Sequence, residues 1–183
     1  MRAVKPPRRL RRHPSSREEG KFDPLLVQGG EALVRLRLVL DTNVWLDWLV
    51  FDDPSVAPIK AAVAANRAEV FIDAACEAEL ERALGYDLGK RTVDIAACIG
   101  ECRRVARRID SPMPQAERAR LPACRDPDDQ KFLEAALAAR AGILVTKDRA
   151  LLDLAPRIAS FRIVTPEGFE KEDPFASRAL RFR

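Results

Sequence analysis

Four carboxylates stand where apolar periodicity would aim them at one place. Asp41 directly follows the apolar run LRLVL of residues 36–40, and Asp148 lies just beyond the run ILV at 143–145. Both runs read as short buried strands, and in a parallel sheet the carboxyl ends of the strands open onto the functional crevice. Glu79 and Asp129 come from helical patterns. In 74–84 the apolar stripe is Cys76, Leu80, Ala83 and Leu84, and Glu79 falls on it, whereas Glu77 and Glu81 fall on the other side and are expected in solvent. In 128–141 the stripe is Phe132, Leu133, Ala136 and Leu137, and Asp129 precedes its first two members at helical spacing.

An inward carboxylate is costly unless it is paired or bound to a cation. Four at one crevice favour a hard divalent ion, and Mg²⁺ or Mn²⁺ takes oxygen ligands while keeping waters for a phosphate substrate. Such a site activates water and offsets charge in an in-line phosphoryl transfer. Each acid also has a plainer reading as a helix cap: Asp41 and Asp148 ahead of the helices that follow them, Asp129 in a first turn. Their joint placement is what argues for chemistry.

The elements that must position them follow from the same patterns. Strands are expected at 36–40, 70–72, 143–145 and 162–164, and helices at 43–50, 54–67, 74–84, 93–109, 128–141 and 150–155. Residues 111–127 hold Pro112, Pro114, Pro122 and Pro127 and read as a loop. Short apolar strands alternating with helices give a doubly wound α/β fold with a central parallel sheet flanked by helices. The domain is bounded at 36–168, preceded by a disordered basic extension at 1–35 and followed by a tail at 169–183.

Charge and composition exclude several alternatives. The chain of 183 residues has a net charge of +4, but residues 1–40 carry 10 basic against 4 acidic residues and Arg178, Arg181 and Arg183 lie in the last ten. The stretch 41–173 is therefore mildly acidic. His13, the one histidine, sits in the basic extension, which leaves no fold-held base for a Ser-His-Asp or Cys-His pair. Cys76, Cys98, Cys102 and Cys124 form no CxxC pair and read as small buried hydrophobes of a reducing cytoplasm. GYDLGKRT at 85–92 has the wrong spacing for a phosphate-binding loop. No apolar stretch approaches the roughly 18 residues of a membrane span.

LVLDTNVWLDWL, CEAELERAL and RDPDDQKFLEAALAARAGILVTKDRALL resemble, in order and spacing, the PIN-domain nucleases, and within them the bacterial branch assigned as toxins of toxin–antitoxin modules. The resemblance covers about residues 36–166. It implies a PIN-like, Rossmann-like three-layer fold and a metal-dependent endoribonuclease that leaves 5′-phosphate and 3′-hydroxyl ends. It also implies that Asp41 and Asp148 lead the binding of Mg²⁺ or Mn²⁺, with Asp129 and Glu79 completing the catalytic and metal site. Asn43 and Thr146 match positions that orient carboxylates, and Asp126 is a second acid able to take or share the role of Asp129. An RNA substrate, an antitoxin protein and a homodimer are the partners implied, in the cytoplasm. A catalytically silent PIN-like module that binds RNA or a protein is the rival. Arg103, Arg104, Arg107 and Arg108 are candidates for a backbone-binding patch on the long helix. Trp45 and Trp48 are expected in packing rather than base stacking.

Overall fold

The computed structural model describes residues 35–89, 91–109 and 113–172. The basic extension with His13 and the C-terminal arginines lie outside the described residues. In chain order the elements are β1 (Leu36–Leu40), α1 (Thr42–Leu46), α2 (Ala57–Ala64), β2 (Ala68–Asp73), α3 (Ala74–Leu84), α4 (Ile95–Val105), β3 (Ala106–Ile109), α5 (Gln115–Arg118), α6 (Gln130–Ala138), β4 (Ile143–Val145), α7 (Arg149–Leu152), β5 (Arg162–Val164) and α8 (Phe169–Glu172). A π-helical turn, Asp47–Phe51, continues α1.

The five strands are all parallel, in the order β3-β2-β1-β4-β5. A sheet covered on both faces must be apolar along its central strands. The buried runs Leu38–Leu40 and Ile143–Val145 supply this at the centre. Helix α6 lies across β1, β2 and β4 and meets α3, which packs on α1; α2 packs on β2 and meets α8. The result is the expected three-layer α/β fold. Leu38, Leu133, Leu144 and Leu151 are fully buried in its core, and Trp45 joins them with its ring 5.8 Å from that of Trp48.

Three sequence expectations change. The helix expected at 93–109 stops at Val105, where the backbone of Ala106 is already extended (φ −93°, ψ 144°), and Ala106–Ile109 becomes an edge strand paired with β2. Helical periodicity continues through this stretch, so only the pairing with a partner distant in sequence reveals the strand. Arg107 and Arg108 therefore leave the helix. Secondly, Glu77 is buried, not solvated: its carboxylate takes Arg103 at 2.7 Å and Arg108 at 3.4 Å. With Arg104 on Glu101 at 2.6 Å and Arg107 on Glu69 at 3.1 Å, all four arginines hold acids of this chain and form no unpaired basic patch. Thirdly, Phe169–Glu172, placed by sequence in the tail, is a short helix whose Phe169 is fully buried.

Candidate active site

From β1 the chain winds outward to β2 and β3, then returns to β4 on the other side of β1. In an open parallel sheet such a reversal places the crevice at the carboxyl ends of the flanking strands, here β1 and β4. Asp41 is the first residue after β1, and its N–H donates to the Val145 carbonyl at 3.0 Å, at the end of β4. The parallel register that pairs Leu40 with Val145 sets Asp41 level with Thr146.

Asp41 is 2% exposed. Its Oδ1 accepts from the Val44 N–H at 2.8 Å, capping α1, and its Oδ2 accepts from the Lys147 N–H at 3.2 Å and from the Thr146 hydroxyl. Burial nevertheless pushes the carboxyl above its ordinary value; the donors oppose this and the charge of Asp148 adds to it. The fully buried Thr146 joins the two acids, since its hydroxyl donates to Asp41 and accepts from the Asp148 N–H at 2.9 Å. Asp148 caps α7 through the Ala150 N–H at 2.6 Å. Lys147 pins the same loop to the π-helical turn, with Nζ 2.5 Å from Asp47 and 3.7 Å from Asp53.

Glu79 reaches the crevice from α3. Its Oε1 accepts from the Thr42 hydroxyl at 2.8 Å and its Oε2 pairs with Lys131. Asp129 differs from the other three. A 3-10 turn, Pro127–Asp129, precedes α6, so Asp129 takes the helical backbone of that turn and its side chain makes no capping bond. Capping of the turn falls to Asp126, whose Oδ1 accepts from the Asp128 N–H at 2.9 Å. Desolvation, then the charges of Asp148, Asp126 and Glu79, push the Asp129 carboxyl up to about 6, with Lys131 opposing. Its environment is thus dominated by desolvation and neighbouring carboxylates, which the capping reading of this residue does not explain.

Thr42, Asn43, Glu79, Asp126 and Asp129 border a cavity of about 380 Å³. A second of about 380 Å³ opens between Arg125, Asp126 and Asp148. Asp126 borders both. The donor set is oxygen-only and suits a hard divalent cation. As the side chains stand, no three His, Cys, Asp or Glu among the described residues converge into a ready-made ligand set. Glu79 is engaged by Lys131, and Asp41 by Thr146 and Lys147. The larger cavity, about 790 Å³ between Trp48, Lys60, Cys98 and Arg104, lies away from these acids. The thiols of Cys76 and Cys102 are pushed up by burial, that of Cys102 to about 12, the wrong direction for a nucleophile.

The sequence profile of the PIN domain matches residues 37–150. The chain belongs to the PIN-domain family. The matched stretch holds Asp41, Glu79, Asp129 and Asp148 together with β2, β3, β4 and all of β1 but Leu36, and PIN domains are generally nucleases. Among solved structures the chain is similar to VapBC2 from Rickettsia felis, determined bound to a DNA fragment from their promoter. The TM-score is 0.55 at 16% identity, covering 71% of this chain and 98% of that one, a likeness of fold. No curated protein matches.

Two residues of this PIN site escaped the sequence reading. Thr42 sits inside the DTN motif yet its contact with Glu79 depends on the packing of α1 on α3. Lys131 is off the apolar stripe of α6, and its sequence carries no sign that it folds back onto Glu79. Thr146 does hold the Asp41 carboxylate, whereas Asn43 is exposed beside the cavity.

Proposed function

We propose that this PIN domain is a metal-dependent endoribonuclease that hydrolyses RNA phosphodiester bonds, the toxin of a toxin–antitoxin pair. The observation that carries the reading is the arrival of Asp41, Asp129 and Asp148 at the switch point of the sheet, with the Asp129 carboxyl raised to about 6 by desolvation and by the neighbouring carboxylates. Asp41 and Asp148 would lead in holding Mg²⁺ or Mn²⁺, with Asp129 and Glu79 completing the acidic wall. The bound ion would activate water and offset charge on the scissile phosphate. Thr146 ties the Asp41 carboxylate to the backbone of Asp148, and the Lys147–Asp47 pair keeps their loop against the domain. Asp126, on both cavities, would face the substrate strand or share the work of Asp129. The Rickettsia felis likeness supports an antitoxin partner, and a homodimer in the cytoplasm completes the reading. No helix of the described residues is long and apolar enough to cross a membrane.

One observation favours a second reading, a silent PIN-like module that binds RNA or a protein: the carboxylates do not stand as a ready-made ligand set. Incubating the purified chain in Mg²⁺ with single-stranded RNA, single-stranded DNA and a phosphomonoester separates the cases. Endonucleolytic cuts in RNA alone are expected. RNA binding without turnover establishes the silent module, and preferred cleavage of DNA or of the monoester refutes the RNA assignment.

A further inference from the structure

Tyr86 is 67% exposed, against 36% for Phe51, the other large apolar side chain left in solvent among the described residues. The Phe51 ring is covered by Arg91, 5.4 Å from its centre, whereas no ring or cation of the described residues lies against Tyr86. Tyr86 stands just past the end of α3 on a fixed turn. Its N–H donates to the Ala83 carbonyl at 3.2 Å, and the Gly85 N–H donates to the Arg82 carbonyl at 3.1 Å. Glu79 and Arg82, three apart on α3, border with Tyr86 the cavity of about 380 Å³ that Asp126 and Asp129 also line. Glu79 is held by Thr42 and Lys131, while the exposed Arg82 pairs with no acid of the described residues. Across the shared wall at Asp126, Arg125 is likewise exposed and unpaired among the described residues, and it borders the second cavity with Asp148.

An acidic crevice repels the backbone of a nucleic-acid strand, so phosphates that flank the acids need cations of their own. The arginines of α4 and β3 do not serve, because they are tied to acids of this chain. Arg82 and Arg125 are the arginines that border the two acidic cavities, one beside each. The helix dipole accounts for Arg82 in the last turn of α3, but it gives no reason for an exposed aromatic beside it. An open ring face next to a cation suits an unpaired base whose phosphate the cation holds. We propose that Arg82 and Arg125 hold backbone phosphates on either side of Asp126, and that Tyr86 stacks on a base of the same single-stranded RNA. The proposal rests on the ribonuclease reading above and deepens it by assigning the residues that grip the strand.

The test is fluorescence anisotropy of a short labelled oligouridylate with the full chain in Mg²⁺, in an Asp148→Asn background that leaves the strand intact. Tyr86→Leu should weaken binding roughly 5- to 150-fold without changing its salt dependence, and Tyr86→Phe should bind as the parent does. Arg82→Gln and Arg125→Gln should each lower the slope of log affinity against log salt by about 0.7, because one counterion fewer is released. Arg104→Gln should change neither, since its parent pairs with Glu101 away from the acids. All these side chains are exposed, so each variant should keep the parent's thermal midpoint. Nitration by tetranitromethane reads Tyr86 alone, because the chain has one tyrosine, and bound oligouridylate should protect it. Tyr86→Leu with the parent's affinity, or arginine variants with the parent's salt slope, overturns the proposal even where the wild-type chain cuts RNA. Absence of binding overturns it too, as does tighter binding of oligothymidylate, which assigns the strand to DNA. Binding that depends on Tyr86, in a wild-type chain that cuts nothing, supports the grip on the strand and refutes the nuclease reading instead.

Discussion

Replacing Asp129 by asparagine should stabilise the metal-free fold. The carboxyl is raised from its ordinary 3.8 to about 6 by desolvation and by Asp148, Asp126 and Glu79. Ionising it in the folded chain therefore opposes folding. Its contribution to stability is fully present below about pH 3.8 and is lost as the pH rises through 6. At full strength the shift is worth about 3 kcal/mol. The side chain is only half-buried, so solvent screening leaves about 1–2 kcal/mol. Asn has the same shape and no charge, so Asp129→Asn should recover that amount above pH 7. For a domain of this size it should raise the thermal midpoint by roughly 2–8 °C. The assay is thermal unfolding in excess EDTA at pH 7.5 and pH 4. The gain should be present at the first and absent at the second. With the metal role proposed for Asp129, added Mg²⁺ should then reverse the order, because an ion at free concentration c stabilises the wild-type chain by RT ln(1 + c/Kd) and the variant less. A midpoint that falls at pH 7.5, or rises equally at pH 4, refutes the raised Asp129 carboxyl on which the prediction rests.

Other perturbations separate structural from chemical roles. Asp41→Asn keeps an acceptor for the Val44 N–H but turns its NH2 toward the Lys147 N–H, so it should still fold at a cost of about 1 kcal/mol and not cleave RNA. Asp41→Ala should lose about 1 kcal/mol more with the cap, seen in urea melts. Thr146→Val removes a buried donor to Asp41 and the acceptor for the Asp148 N–H, costing about 1–3 kcal/mol. It should also raise the Asp41 carboxyl further, shifting the acidic limb of the pH–rate profile upward; Thr146→Ser should restore both. Glu77→Gln should lower the thermal midpoint by weakening the ties to Arg103 and Arg108, yet leave kcat for RNA cleavage unchanged, because Glu77 takes no part in the crevice.

The sheet and its order of helices were legible because apolar runs such as LRLVL and ILV stand out from charged flanks, and 36–40, 74–84, 143–145 and 162–164 fold with those bounds. Edge strand β3 was not, because VARRI fits either period and its partner β2 lies some thirty residues upstream. The positions of Asp41 and Asp148 could be read from strand ends, since backbone direction alone delivers them. How Glu79 is held could not, because Thr42 and Lys131 reach it across three different helices. Glu77 shows the limit of helical periodicity in the other direction. Its side of α3 is polar by composition, yet α4 and β3 cover it with arginines.

Cleavage of a labelled single-stranded RNA by the wild-type chain and Asp148→Asn, each with Mg²⁺ and with excess EDTA, tests the central claim most directly. The account predicts internal cuts by the wild-type chain in Mg²⁺ and none in the other three reactions, with both proteins giving the same circular dichroism spectrum. Cutting that persists in Asp148→Asn or in EDTA would contradict it.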